Sequence, residues 1–297
     1  MCKVNLDKKL LNFGRKKIRH IQCLCKYNVK KIHTLKISDK KRTSKDFTSS
    51  TKIAIHFHVF YTDLIEEIYN HVSSIEYPVT LFITVVNDKD KDFVSNFFAG
   101  HKTNHEVRII KTENRGRDIY PFYKALHDSY KDFDIIAHFH TKRSLHTNYG
   151  DIWRKYIYNN LLGTKHLFDN IIDYMNSNKT AGFVTTPIVP IKSIIYSYYD
   201  FLENKIDCKD AISNSLKVFG INAGDVYTVP YNKEFPCGNM FIARRDAIQQ
   251  FLSAELTDND FPAEEGQLSG TLQHYVELIW NYMVTVNKFE YIEIQKK

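Results

Sequence analysis

The fold is decided by residues 52–60 (KIAIHFHVF), taken together with residues 79–86 (VTLFITVV). Both segments are rich in β-branched and aromatic residues, a composition typical of strands. Between them, apolar residues recur at helical spacing over residues 63–75. A strand, a helix and a second strand in this order predict a βαβ unit, whose two strands run parallel in one sheet.

The same alternation continues toward the C-terminus. Two further strands are predicted at residues 106–112 and 133–139, separated by a helix at residues 120–130. This order predicts an α/β fold, in which a mostly parallel sheet is covered by helices on both faces. The other predicted elements are helices at residues 149–175, 194–219, 246–254 and 272–286, and strands at residues 181–189 and 239–243.

Positive charge is concentrated near the N-terminus. Residues 1–46 contain fifteen Lys or Arg and three Asp, a net charge of +12, which leaves −5 for the rest of a chain whose total is +7. Between residues 10 and 32, apolar residues recur loosely at helical spacing among basic ones, which predicts a basic amphipathic helix. Such a helix binds an anionic membrane surface or docks on the body of the protein. Residues 38–50 predict a linker, so we expect an arm over residues 1–50 and one domain over residues 51–297.

Composition also indicates the compartment and the class of partner. The mildly acidic body argues against nucleic acid, because a nucleic-acid-binding domain carries the positive surface itself. The five cysteines are an odd number without CxxC spacing, and the sequence contains neither a signal peptide nor a run of about 20 apolar residues. We therefore expect a cytoplasmic protein with reduced thiols.

A first polar cluster, residues 114–118 (NRGRD), follows the third predicted strand. Gly116 allows the backbone to approach a ligand, and Arg115 and Arg117 offer forked donors that suit phosphate oxygens. Asp118 either orients an arginine, binds sugar hydroxyls, or caps the next helix in a plain surface turn. We interpret the cluster as part of a site for a charged, phosphate-bearing ligand.

A second cluster lies at the end of the fourth predicted strand. His138 and His140 are two residues apart, so both point to one face of the sheet, and His56 and His58 repeat this spacing on the first predicted strand. Four such histidines are either metal ligands or hydrogen-bonded groups of the core or of the substrate site. After His140, Thr141 and Lys142 leave the strand, and Lys142 is either a counter-charge for a leaving phosphate or a solvated lysine.

A third cluster is acidic. Residues 258–265 (DNDFPAEE) predict a loop ahead of a helix that carries His274 and Glu277, and a carboxylate on such a loop is a candidate general base. Residues 88, 90 and 92 are aspartates with the acid-x-acid spacing of metal-dependent sugar-nucleotide enzymes, but they alternate with lysines, and we interpret them as a solvated turn. Because charged groups at strand ends build the polar sites of open α/β sheets, we expect the three main clusters to meet around one hollow.

Five motifs in order carry a family resemblance: HFHVFYTDL, ENRGRDIYPF, HFHTKRS, FPCGNMFIARRDAI and FPAEEGQLSGTLQHYVEL, with Trp153 and Arg154 after the third. On these motifs the chain resembles the rhamnan synthesis protein F family of bacterial glycosyltransferase-like proteins. The resemblance covers about residues 51–285, which leaves the basic arm outside it. Five ordered motifs are a specific signal, whereas any one of them alone is a weak one.

The resemblance implies a GT-A-like, Rossmann-like glycosyltransferase domain. Its expected reaction is the transfer of L-rhamnose or a similar sugar from a dTDP-sugar donor to a lipid-linked rhamnan, O-antigen or capsule glycan, and we expect inversion because one base and no covalent intermediate suffice for it. The expected place is the inner face of the bacterial plasma membrane. No cofactor is firmly implied, and a divalent metal is possible but not favoured, because His140, Thr141 and Lys142 stand where many GT-A enzymes have acid-x-acid.

The resemblance also implies roles for individual residues. His58, Tyr61 and residues 114–118 would line the donor pocket, and at the strand end of His140, Thr141 and Lys142 fixed cations would replace much of a metal's role. The leading base would be Glu264, with Glu265 and Glu277 behind it. The full set of substrate-binding residues is His58, Tyr61, Asn114, Arg115, Gly116, Arg117, Asp118, His140, Thr141, Lys142, Gly238, Asn239, Met240 and His274, of which Gly238, Asn239 and Met240 would form the sugar or acceptor wall.

Two functions of other classes remain open at this point. One is a metal-dependent hydrolase whose paired His-x-His strands hold an ion that lowers the pKa of water. The other is a non-catalytic glycan-binding or scaffold subunit that keeps the fold without turnover.

Overall fold

A computed structural model describes residues 34–41, 50–141, 143, 149–187, 209–222, 236, 238–267 and 270–297. These residues contain one eight-stranded sheet. The strands are β1 (Thr34–Ile37), β2 (Ile53–His58), β3 (Val79–Val85), β4 (Glu106–Lys111), β5 (Ile135–His140), β6 (Ala181–Thr185), β7 (Phe241–Arg244) and β8 (Glu290–Lys296).

The sheet is mostly parallel. Its strand order is β1-β8-β6-β7-β5-β2-β3-β4, and β7 runs antiparallel to both of its neighbours, β5 and β6. The other pairs in the order are parallel, so the remaining strands share one direction. The predicted α/β class with a mostly parallel sheet is confirmed.

Helices cover both faces of the sheet. On one face, α1 (Ile65–Val72), α2 (Asp88–Ala99), α4 (Gly150–Leu161) and α5 (Leu167–Ser177) contribute to one apolar core. On the other face, α3 (Ile119–Leu126), α6 (Lys209–Val218), α7 (Gln249–Leu252) and α8 (Leu272–Val286) contribute to a second core. Because successive side chains of a strand point to opposite faces, β2 and β5 supply residues to both cores.

Two strands at one side of the sheet are not predicted by the sequence pattern. Strand β1 lies within the segment predicted to be the arm, and it pairs in parallel with β8 near the C-terminus. Each has few buried apolar residues: Ile37 in β1, and Ile292 and Ile294 in β8. Such short, half-exposed strands lack the composition that marks the central ones. The predicted basic helix between residues 10 and 32 lies outside the described residues.

The aspartates at positions 88, 90 and 92 begin a helix, so the predicted turn is wrong. The side chain of Asn87 accepts a hydrogen bond from the backbone N–H of Asp90 at 2.8 Å and caps α2. Asp88 and Asp90 lie in its first turn, where the helix dipole stabilises negative charge. Alternating charge therefore belongs here to the exposed start of a helix.

The mostly helical stretch predicted over residues 149–175 consists of two helices. Between α4 and α5, Gly163 has φ +65°, and a Cβ there would stand 2.6 Å from Cβ of Leu167. The left-handed backbone ends α4 and turns the chain into α5. In the part of the chain that the structure describes, no helix combines the length and the apolar character needed to cross a bilayer.

Candidate functional site

The carboxyl ends of the central parallel strands form the candidate site. Strand β2 pairs with β3 on one side and with β5 on the other, so the chain runs outward from β2 to β4 and then returns to the opposite side of β2. Open α/β sheets bind ligands at such a switch point. His58 and His140 are register partners at the ends of the two strands on either side of it.

The antiparallel direction of β7 brings residues 238–240 to the same edge. Gly238 and Asn239 have φ angles of +93° and +53°, and a Cβ on Gly238 would stand 2.9 Å from Cδ1 of Ile157. Asn239 is buried beside the carboxylate of Asp118, to which its Nδ2 donates. The side chain of Met240 points away from this polar group, into the apolar core on the α1 and α4 face of the sheet. Of the three predicted wall residues, Asn239 is thus the one whose side chain joins the polar cluster.

The arginine turn and the acidic loop meet, as predicted from the sequence. Gly116 and Arg117 have φ angles of +60° and +53°, and the backbone N–H of Arg117 donates to Oε1 of Glu264 at 3.0 Å. The N–H of Glu264 donates to the carbonyl of Asn114 at 3.2 Å, and Arg115 and Ala263 form an isolated β-bridge. Glu264 therefore holds an arginine in a conformation that residues other than glycine rarely adopt.

The two arginines of the turn are engaged to different extents. Arg115 donates to the carbonyls of Asp258 and Phe261 and forms an ion pair with Glu113 at 2.5 Å. Within the described residues, the guanidinium of Arg117 donates to the carbonyl of Gln267 at 3.2 Å and makes no other hydrogen bond or ion pair. Arg117 is half-buried and keeps free donors, whereas Arg115 fastens the turn to the loop.

Beneath the turn lies a buried chain of polar groups, of which the sequence predicts only a part. Asp118 accepts from His138 Nε2 at 2.9 Å, and Nδ1 of His138 lies 2.9 Å from Nδ1 of His56. Nε2 of His56 lies 2.9 Å from the hydroxyl of Thr84, and the same hydroxyl lies 3.0 Å from Nδ1 of His58. We call these five residues, Asp118, His138, His56, Thr84 and His58, the polar relay.

Charge within the polar relay follows from burial and from these contacts. Burial opposes ionisation of Asp118, but the nearby His140 and the hydrogen bonds from His138 and Asn239 outweigh it and hold the pKa of this carboxyl well below its usual range. Burial lowers the pKa of His58 to about 3 and that of His56 well below its usual value. At neutral pH, Asp118 is therefore a carboxylate, and His56 and His58 are uncharged.

The end of β5 is held by backbone groups. Nε2 of His140 donates to the carbonyl of Gly238 at 2.8 Å, and Oδ2 of Asp118 lies 4.0 Å from the same nitrogen. The hydroxyl of Thr141 accepts from the N–H groups of Phe60 and Tyr61, both at 3.0 Å. Thr141 is thus a link between β5 and the segment after β2. Lys142, the predicted counter-charge, lies outside the described residues.

The first turn of α8 completes the cluster. His274 is buried with its Nδ1 2.5 Å from the hydroxyl of Thr271, and burial together with the positive charge of Arg117 lowers the pKa of His274 to about 4. The neighbouring Gln273 donates to Oε1 of Glu264 at 3.4 Å. Glu265 is exposed, and Glu277 lies one turn further along the helix, partly buried. Of the three acids predicted as candidate bases, Glu264 is thus the one whose side chain is hydrogen-bonded to the arginine turn.

Three residues of this arrangement are absent from the predicted site. Thr84 links two histidines, Gln273 contacts Glu264, and Trp280 donates from Nε1 to Oδ1 of Asn239 at 2.9 Å. The His-x-His spacing signals part of the relay, because it places four rings on one face. A threonine in a strand and a tryptophan in an apolar helix carry no comparable signal, since both residue types are ordinary there.

The histidines are poorly placed to bind a metal together. Both ring nitrogens of His56 and of His138 take part in hydrogen bonds within the relay. A ligating imidazole needs one nitrogen free for the ion. Among the described residues, no group of three or more His, Cys, Asp or Glu side chains is arranged to hold a metal ion. The hydrolase alternative would therefore require the relay to be broken.

The chain is similar in sequence to a known protein family and to two proteins of Xanthomonas. A sequence model described as rhamnan synthesis protein F matches residues 18–289. Two relatives from Xanthomonas campestris pv. campestris, one of them from strain B100, are both described as uncharacterized protein WxcX and are 27% and 26% identical over 242 residues. Each alignment covers 80% of this chain and 32% of the relative, so the chain spans about a third of the length of these curated relatives.

Proposed function

The chain belongs to the rhamnan synthesis protein F family, and on this premise we propose that it is a GT-A-like glycosyltransferase acting at the carboxyl edge of its sheet. The family gives it a role in rhamnan or related polysaccharide synthesis. The proposed reaction moves L-rhamnose or a similar sugar from a dTDP-sugar to a lipid-linked glycan, with inversion.

One observation supports this proposal most strongly. The arginine turn, the ends of β2 and β5 and the loop around Glu264 converge at the switch point of the sheet. A nucleotide sugar needs donors for its diphosphate and polar groups for its sugar hydroxyls, and both are brought together here. Because Arg117 keeps free donors in the described structure whereas Arg115 is engaged by the loop, we propose Arg117 as the diphosphate ligand.

The test compares two arginine variants in the full chain. In Arg117→Asn the new residue tolerates the left-handed backbone, so the turn survives while the guanidinium is lost. We expect its affinity for dTDP and for dTDP-L-rhamnose to fall by about 10-fold or more, since hydrogen bonds to charged groups contribute roughly 1.5–3 kcal/mol. Arg108→Ala is the control, because Arg108 lies on β4 in an exposed pair with Glu106.

Calorimetry with both nucleotides measures the two affinities, and transfer to a lipid-linked acceptor measures turnover. An equal loss in both variants, or no nucleotide-sugar binding by the wild type, contradicts the proposal. Binding of the donor without transfer by the wild type would support the scaffold function instead.

The proposal extends to the place where the acceptor is met. A lipid-linked glycan lies at a membrane surface, and the net charge of +12 over residues 1–46 suits an anionic one. Deleting residues 1–33 leaves strand β1 in place. We expect this deletion to abolish flotation with anionic liposomes, and equal flotation of both proteins would refute the membrane contact.

A further inference from the structure

The hydrogen bonds of the polar relay have a fixed direction, which is set at its Asp118 end. The indole N–H of Trp280 can only donate, so Oδ1 of Asn239 faces it and Nδ2 of Asn239 faces Asp118. Asp118 then accepts from its neighbours, and His138 must donate from Nε2. The buried carboxylate therefore determines which nitrogen of His138 carries the proton.

Each later bond follows from the one before it. A neutral His138 accepts at Nδ1, so His56 donates from Nδ1 and accepts at Nε2 from the hydroxyl of Thr84. The oxygen of Thr84 in turn accepts from Nδ1 of His58. His58 is left with a lone pair on Nε2, for which the described residues provide no donor. A hydrogen-bond acceptor thus stands at the end of β2, beside the proposed donor pocket.

We propose that Nε2 of His58 accepts the proton of the sugar-acceptor hydroxyl during transfer, and that the polar relay passes the positive charge to His138 beside Asp118. This inference rests on the proposed glycosyl transfer. In the step, the acceptor oxygen bonds to the anomeric carbon, the bond from that carbon to the donor phosphate breaks, and the nucleoside diphosphate leaves with the electron pair.

The positive charge passes through the relay by four matched proton shifts. The proton of the acceptor hydroxyl binds Nε2 of His58, and the Nδ1 proton of His58 moves to the oxygen of Thr84. The original hydroxyl proton of Thr84 then moves to Nε2 of His56. The Nδ1 proton of His56 then moves to Nδ1 of His138. Each residue between the ends gains and loses one proton, and the result is an imidazolium on His138, 2.9 Å from the Asp118 carboxylate.

The relay explains how a buried histidine can serve as a base. Burial alone disfavours a charge on His58, whose pKa is lowered to about 3. At His138 the same charge lies against a carboxylate in surroundings of low dielectric constant, where the attraction is much stronger than in water. The arrangement extends the logic of a catalytic triad, in which a buried aspartate orients a histidine and stabilises its imidazolium.

The inference competes with the predicted base, Glu264. One oxygen of Glu264 accepts hydrogen bonds from the N–H of Arg117 and from the side chain of Gln273. These contacts hold the turn in place. A glutamine at this position keeps an oxygen acceptor of similar shape. Glu264→Gln should therefore lower kcat less than His58→Asn does if His58 is the base, and at least as much as His58→Asn if Glu264 is the base.

Three variants test the relay by kinetics. His58→Asn keeps a donor toward Thr84 but has no basic nitrogen, Thr84→Val removes the hydroxyl at similar shape, and Thr84→Ser restores it. We expect the first two to lower kcat by about 100-fold with little change in KM, since a general base contributes at least this factor. Thr84→Ser should retain most of the wild-type kcat, a rescue that a packing role alone does not give to serine.

A spectroscopic measurement tests the relay without any assay of turnover. Nitrogen-15 NMR of the imidazoles in the full chain at neutral pH should find His58 and His56 protonated at Nδ1 and His138 protonated at Nε2, and Thr84→Val should remove the preference at His58. Protonation of His58 at Nε2 in the wild type, or full turnover by folded Thr84→Val, overturns the inference. Correct tautomers without any sugar transfer would overturn the proposed function while the hydrogen-bond direction stands.

Discussion

The two faces of β2 and β5 differ although they belong to the same strands. On the α1 and α4 face, Ile55 and Phe57 of β2 pack with Phe139 of β5 in an unbroken apolar core. On the α3 and α8 face, the alternate positions carry the histidines of the polar relay, and His56 and His138 have no exposed surface at all. One face is explained by burial of apolar area alone, whereas the other needs a hydrogen bond for nearly every polar atom.

This contrast indicates that one face stabilises the fold and that the other carries the chemistry. Burying a polar side chain costs free energy unless its partners are present, and an apolar side chain of equal volume would make as good a core. Apolar residues could thus replace the polar residues of the α3 and α8 face, here called the relay face, without loss of the sheet. Its histidines, threonine and aspartate are therefore better explained by a functional requirement than by folding.

The largest expected effect tests the apolar face. Phe57 is fully buried and stacks on Phe139 with ring centroids 5.4 Å apart, so Phe57→Ala removes packing that nothing nearby can replace. We expect the free energy of unfolding to fall by about 3–5 kcal/mol, measured by urea denaturation.

Thr84→Val provides the matched change on the relay face. It leaves the volume unchanged and deprives His56 and His58 of one shared partner. The expected loss is about 1–3 kcal/mol, the usual cost of buried polar groups left unsatisfied. A larger loss for Thr84→Val than for Phe57→Ala would mean that the relay face, too, is there for stability.

The sequence predicts the two faces and the meeting of the clusters for one reason. Alternation along a strand and the shared edge of parallel strands are local rules, so the positions of His56, His58, His138 and His140 follow from their numbering. It does not predict that Asp118 turns inward to His138, because that contact depends on the depth of the turn beneath the loop. Nor does it predict that Arg115 donates to backbone carbonyls, since both arginines suit phosphate equally.

An effect between those of Phe57→Ala and Thr84→Val is expected where the loop meets the turn. A Cβ on Gly116 would stand 2.6 Å from Cβ of Tyr120 and 2.7 Å from Cδ1 of Phe261, at a φ of +60°. Gly116→Ala therefore combines backbone strain with overpacking, and we expect a loss of about 2–4 kcal/mol in unfolding free energy.

Gly220→Ala separates the two causes. Gly220 has φ +68° with nothing within 4 Å of the added Cβ, so the strain remains and the clash does not. The expected loss is about 1–2 kcal/mol, measured by the same denaturation curves. Equal losses in the two variants would show that the loop yields to the new methyl group, and the close contact between turn and loop would then carry no energetic weight.

An effect as small as that of Gly220→Ala concerns pH and again separates the two faces. The pKa of His58 is lowered by burial from its unfolded value of 6.5 to about 3, so below pH 6.5 the unfolded chain binds a proton that the folded chain refuses. The contribution of the uncharged His58 to the free energy of unfolding is fully present above pH 6.5. It is lost as the pH falls toward 3, by up to about 1.4 kcal/mol per pH unit. Above pH 3.8, Asp118 does not contribute to this loss, because the stability associated with its lowered pKa begins to be lost only below its unfolded value of 3.8.

His58→Asn isolates this contribution when both proteins are denatured with urea at pH 6.0 and at pH 4.5. The buried histidines outside the relay, His71, His105 and His274, also have lowered pKa values, but they are present in both proteins and cancel in the difference. We expect the stability gap between wild type and His58→Asn to shift by about 1–2 kcal/mol in favour of the variant at the lower pH. If the gap does not change with pH, His58 accepts a proton in the folded chain as readily as it does in the unfolded chain. A histidine that binds a proton so readily could act as a base without Thr84, His56 and His138.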